Sequence, residues 1–295
     1  MSDAHTITRA LGGKWYGRYG RACCPACNGT NKRNPSLSIK QGANGSLLLW
    51  CFKGCVFSDI LSSLKGLGVV AGHGTYSPPS AADIIRQKAE IEAEAVKRSA
   101  QAEFCWKETV PIGGTLAEAY LRKRGITCAL PDTLRFHPTC WHATGKRLPA
   151  LVARIDCEIY FAVHRIYLKS LTPDKSDVRP NKAMLGSVKG GAVRLVEGTG
   201  PLVVAEGIET ALSLSCGILE RCGSVWAALS ASGMAGLRLP DRSHELVVAS
   251  DGDAAGREAA YTLAERANAL GWVVSTVDPG DGLDFNDVLQ REMAE

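Results

Sequence analysis

The chain has 295 residues, 45% hydrophobic and 22% charged, a balance that excludes a disordered or fibrous protein and leaves room for one large domain or two to three small ones. Its net charge of +4 is unevenly spread: Lys/Arg outnumber Asp/Glu by nine to two over residues 1–65 and by nineteen to thirteen over 66–200, but are outnumbered fifteen to six over 201–295. Apolar runs such as Leu202–Ala205 fall far short of the ~20 residues that cross a bilayer, and no export signal opens the chain, so a cytoplasmic location and no membrane partner are expected.

A reducing compartment makes the eleven cysteines candidates for metal rather than disulfides. Residues 14–64 carry five of them. Cys24-Pro-Ala-Cys27 and Cys51-Phe-Lys-Gly-Cys55 are separated by twenty-three residues; two such turns, each offering two thiolates, close a tetrahedral structural zinc site. Pro35–Ile39 and Ser46–Trp50 between them have strand character, and Ser58–Leu64 reads as a short closing helix. Cys23 leaves an ambiguity, because Cys23 with Cys27 would also make a workable turn. Arg18, Arg21, Lys32, Arg33, Lys40 and Lys53 surround these cysteines together with Trp15, Tyr16, Tyr19 and Trp50. Cations attract phosphates and aromatic faces stack on unpaired bases, while Trp50 next to Cys51 is equally suited to covering the metal.

Residues 65–108 read as a Gly/Pro-rich linker, Gly66–Ser80, followed by a long helix from Ala81 to Glu108. Over 109–198 a basic α+β segment is expected. Thr115 and Glu118 have capping-box spacing for a helix that Gly125 stops, and apolar stretches at 151–155, 159–168 and 193–196 predict strands. From 199 to 295, Leu202–Ala205, Val225–Leu229, Leu246–Ala249 and Val273–Val274 alternate with helical stretches at 208–222 and 256–270. That rhythm predicts an α/β fold whose parallel sheet has helices on both faces.

Two of those strands run straight into acids, Glu206 after the first and Asp251-Gly-Asp253 after the third. Groups just past the strand ends of a parallel sheet gather along its carboxyl edge. Three carboxylates there repel one another unless a cation sits among them, and all-oxygen ligands suit Mg²⁺ or Mn²⁺. A calcium loop starting at Asp251 is excluded by Thr262 at its twelfth position. Asp284 and Asp287 are possible accessory acids, although Asp284 is equally placed to cap the closing helix.

With these residues in place, the chain resembles a DNA primase of the phage, prophage or plasmid kind, with a zinc ribbon and a Toprim catalytic domain, similar in layout to the core of bacterial replicative primase. Cys24, Cys27, Cys51 and Cys55 resemble the zinc motif, Glu206-Gly207 and Asp251-Gly-Asp253 the two Toprim motifs, and Asp284-Phe-Asn-Asp287 the usual Toprim ending. The resemblance implies template-directed synthesis of short RNA primers on single-stranded DNA from NTPs. It makes the zinc structural and gives Glu206, Asp251 and Asp253 a catalytic Mg²⁺ or Mn²⁺. It matches 110–195 only loosely; Arg165 and Lys182 are expected there as nucleotide or template contacts, beside Lys32 and Arg33. The second cysteine pair departs from the usual pattern in its spacing and in lacking His. No Gly-x₄-Gly-Lys-Ser/Thr loop occurs, so the helicase is expected to be a separate partner. The alternatives are a Toprim metal-dependent nuclease using the same acids and a non-catalytic, zinc-containing adaptor that binds single-stranded DNA.

Overall fold

The computed structural model describes residues 3–17, 19–27, 35–42, 46–70, 81–241 and 244–294. It comprises two compact units, Met1–Ser80 and Ala81–Glu295.

In the first unit, helix α1 (Ala4–Ala10) precedes β1 (Lys14–Trp15), β2 (Gly20–Ala22), β3 (Leu37–Gln41) and β4 (Leu47–Cys51), an antiparallel sheet in sequence order, and α2 (Phe57–Gly66) follows. Strand alternation sorts β4: Leu49 and Cys51 point inward, while Leu48 and Trp50 are exposed. Ile7, Leu37, Ile39, Ile60 and Leu64 form the core. The first helix, which carries no expected site residue, is capped by the Asp3 carboxylate accepting from the Thr6 amide. Its Thr8 lies so close to Gly20 that a side chain there would collide with it.

The second unit begins with α3 (Ala81–Lys107), then β5 (Val110–Pro111), α4 (Leu116–Lys123), β6 (Leu134–Trp141), β7 (Arg147–Ile155), β8 (Ala162–Tyr167) and β9 (Lys182–Gly186). These five strands make an antiparallel sheet in order β5-β6-β7-β8-β9. One face, with Val152, Val163 and Tyr167, packs on Ala102 and Cys105 of α3. The other, with Leu151, Ala153 and Ile166, shares a core with α4 and the next sheet. The α4 cap differs from the simple capping box: the Glu118 carboxylate accepts from the Gly114 amide, one residue before Thr115.

That next sheet runs β10-β12-β11-β13-β14. Strands β11 (Leu202–Ala205), β12 (Ser224–Ala227), β13 (Glu245–Ala249) and β14 (Val273–Val277) are parallel, and β10 (Val193–Val196) adds an antiparallel edge. The sheet is therefore mixed. All of β11 is buried, because Val203 and Ala205 face α5 (Ile208–Ser213) and α8 (Phe285–Glu292), while Leu202 and Val204 face α6 (Ala231–Ala235) and α7 (Ala254–Ala269). Four-residue apolar runs with no polar alternation reflect that two-sided burial. The helix expected over 208–222 ends early, at a wide turn where Gly217 takes φ +115°. Among the described residues, no helix is long and apolar enough to cross a membrane.

Candidate active site and cysteine centre

Strands β11 and β13 are direct neighbours, with Ala205 paired to Ala249 at their carboxyl ends. Glu206 follows immediately and Asp251 one residue later, after Ser250, so the topology itself brings to one sheet edge two acids forty-five residues apart in sequence. The chain from β13 to α7 is tied to the chain from β14 to α8. The Gly252 amide donates to the Leu283 carbonyl and the Gly282 amide to the Gly252 carbonyl, both at 2.8 Å. At Gly252 any side chain would run into the Gly280 carbonyl oxygen, so only glycine permits this approach.

The acids feel one another. Burial raises the Asp251 carboxyl first, and the negative charges of Glu206, Asp284 and Asp253 raise it further, to about 7. Burial and then Asp253 likewise raise Glu206, with the Lys182 ammonium opposing both shifts. The buried Asp251 Oδ1 has no hydrogen-bond partner. A buried carboxylate oxygen without a donor, under the charge of further carboxylates, is a poor arrangement for the protein alone and a good one for a hard divalent cation. Asp253 also caps α7 by accepting from the Gly256 amide at 2.7 Å. Asp284 and Asp287 are engaged in a reciprocal capping box at the start of α8, and the charge of Asp284 also acts on Asp251. Arg257 of α7 clamps Asp278 and Asp281 in the loop before α8.

Lys182, at the start of β9, thus faces the acid edge. Arg165 does not. It is 5% exposed on the α3 face of the antiparallel sheet, where it donates to the Trp141 carbonyl at 3.3 Å and its charge favours the Cys140 thiolate. Buried there, it offers no face to a template. Glu209, which the sequence reading passed over, is buried one helical turn beyond Glu206. It accepts from the Tyr120 hydroxyl at 2.6 Å and pairs with Lys175 at 2.8 Å. Burial pushes its carboxyl up, but Lys175, then Lys182 and Tyr120, outweigh burial and hold it at about 2. The signal available was the spacing Glu206-Gly-Ile-Glu209, which puts a second acid on the first turn of α5.

In the first unit the thiols of Cys24, Cys27, Cys51 and Cys55 lie within 4.8 Å of one another, a cluster that fits a zinc ribbon. The Cys27 and Cys51 sulfurs are 3.9 Å apart, close to an edge of a zinc–thiolate tetrahedron. The Lys53 amide donates to the Cys51 sulfur, and Gly54 takes φ +83° so that the longer second turn can close. Cys23 stands outside the cluster. Trp50 is 67% exposed and turned away from the thiols, so it does not cover them. Instead Arg21, Ser38 and Trp50 form a row across the outer face of the sheet. Tyr16 stacks on Tyr19, Arg21 lies 4.3 Å from the Phe52 ring centroid, and Lys40 lines the same groove. Arg18, Lys32 and Arg33 lie outside the described residues.

Residues 201–295 match the sequence model of the Toprim domain, and residues 96–195 match that of a domain of unknown function, DUF7146. No curated protein matches the chain in sequence. Among solved structures, the chain is similar to a DNA primase domain from Pseudomonas aeruginosa, with 20% identity and a TM-score of 0.39 over 66% of this chain and 74% of that one. It is also similar to the zinc-binding and RNA polymerase domains of Aquifex aeolicus primase, with 16% identity and a TM-score of 0.40 over 99% and 80%. Residues 201–295, which carry the acidic edge, match the family model of the Toprim domain and form a Toprim domain.

Proposed function

We propose that this chain is a primase, a nucleotidyltransferase that makes short RNA primers on single-stranded DNA. The observation that supports the reading is the carboxyl edge of the Toprim sheet, where the charges of Glu206, Asp284 and Asp253 act on Asp251 and Asp251 holds a buried oxygen without a donor. Glu206, Asp251 and Asp253 would hold Mg²⁺ or Mn²⁺, which when bound stabilises charge on phosphoryl oxygens and makes a hydroxyl a better nucleophile. Lys182, whose charge already reaches Glu206 and Asp251, would attract the triphosphate of an incoming NTP. Glu209, fixed by Lys175 and Tyr120, anchors the first turn of α5 and with it the backbone that aims Glu206. The exposed aromatic and basic face of the cysteine unit suits unpaired bases and phosphates, and zinc on its four thiolates would hold that sheet together.

The test is a reaction of the purified chain with single-stranded template, labelled NTPs and Mg²⁺ or Mn²⁺. Short oligonucleotides are expected, and Asp251→Ala should remove at least about 99% of them, the scale of loss seen when transition-state charge stabilisation is deleted. Shortened template would show a nuclease, and template binding without products an adaptor; either result refutes the primase reading.

A further inference from the structure

Far from the four-cysteine cluster in sequence, three buried side chains of the second unit converge. The Cys105 and Cys140 sulfurs and a ring nitrogen of His137 all lie within 4.8 Å of one another. Cys105 is on the last turn of α3, and His137 and Cys140 are on β6. Residues three apart on a regular strand face opposite ways. Here the β6–β7 register shifts between His137 and Cys140, leaving Pro138 and Thr139 exposed and turning both flanking side chains inward. His137-Pro-Thr-Cys140 therefore repeats, in spacing and in the place of its proline, the turn Cys24-Pro-Ala-Cys27. The Cys105 and Cys140 sulfurs are 3.9 Å apart, as are those of Cys27 and Cys51.

We infer that Cys105, His137 and Cys140 form a second metal site, one that takes a zinc-class divalent ion on two thiolates and one imidazole. The orientation of His137 supports it. Its Nε2 lies 3.3 Å from the Glu108 carboxylate, the outer contact that fixes the tautomer of metal-binding histidines. Nδ1, which accepts from the Thr139 amide at 3.2 Å, is then the ligating nitrogen and exchanges that hydrogen bond for the metal. With two thiolates, a soft ion of the zinc class is favoured over Mg²⁺ or Ca²⁺. Three protein ligands leave the fourth position to a solvent molecule. The metal would staple the end of α3 to the antiparallel sheet, where Ala102, Val152, Val163 and Tyr167 surround it. This site is independent of the acid edge and of the primase reading.

The test is zinc content and zinc-edge X-ray absorption of the full-length chain purified without chelator. Two zinc ions per chain are expected, with imidazole nitrogen mixed into the sulfur shell. Cys105→Ser and His137→Ala should each remove one ion and the nitrogen signal while leaving an all-sulfur site. Absorption of the unaltered protein reads the nitrogen without any variant, so a variant that fails to fold does not hide the answer. An all-sulfur shell in the unaltered protein, or a Cys105–Cys140 disulfide found by mass spectrometry of the native chain, overturns the site.

Discussion

Asp251 is held by its surroundings in a state that would cost the metal-free protein stability at neutral pH. Its folded carboxyl titrates near 7 against about 3.9 for a free side chain. A raised acid favours folding in its protonated form, so its contribution declines as pH climbs from about 4 to about 7. Asp251→Asn should then raise the stability of the metal-free chain at pH 8 by about 1–3 kcal/mol after allowance for solvent screening, and leave it nearly unchanged at pH 4; urea unfolding at the two pH values measures this. Glu209 has the opposite sign. Its folded carboxyl sits at about 2, below the unfolded value, so its contribution is complete above about pH 4.5 and is lost as pH falls toward 2. Glu209→Ala leaves Lys175 and the Tyr120 hydroxyl without their partner and should cost roughly 3 kcal/mol at pH 7, with the difference from wild type shrinking toward pH 2.

Elements explain which of these residues could be read from sequence. The strand Leu202–Ala205 and residues 246–249 of β13 announce themselves as short unbroken apolar runs leading toward acids, because both faces of a parallel strand are covered. Burial on two sides leaves a plain compositional mark. Strand β6 leaves none: Leu134–Trp141 mixes Arg135, His137, Pro138 and Thr139, and its bulge breaks the alternation that would have marked it. Arg165 and Lys182 look alike as basic residues in a strand-rich region, but β8 and β9 turn them to opposite faces of one sheet, which no local pattern encodes. The 250–253 and 280–284 loops depend on backbone pairing centred on Gly252. Gly252→Ala should displace Asp251, abolish oligonucleotide synthesis and destabilise the second unit by about 1–3 kcal/mol, as followed by thermal unfolding and the primer assay together.

At the scale of the whole molecule, two separately cored units divide the chemistry. The first has soft thiolate ligands and a basic, aromatic outer face, while the second has hard carboxylates at one sheet edge. The charge asymmetry visible in sequence follows that division only in part, because the basic stretch 81–200 shares the second unit with the acidic 201–295. Because the cores are separate, losing the ribbon's metal should unfold one unit only. Cys51→Ser is expected to make residues 3–70 protease-sensitive while 81–294 stay protected, and equal sensitivity of both would contradict the division. Primase chemistry in this chain requires the acid edge to bind a cation, and titration of the metal-free chain with Mn²⁺ at pH 8, followed by electron paramagnetic resonance, reads that directly. The free Mn²⁺ signal should be suppressed until at least one ion per chain is bound, and Asp251→Asn should restore it. A signal identical with and without protein would contradict the account.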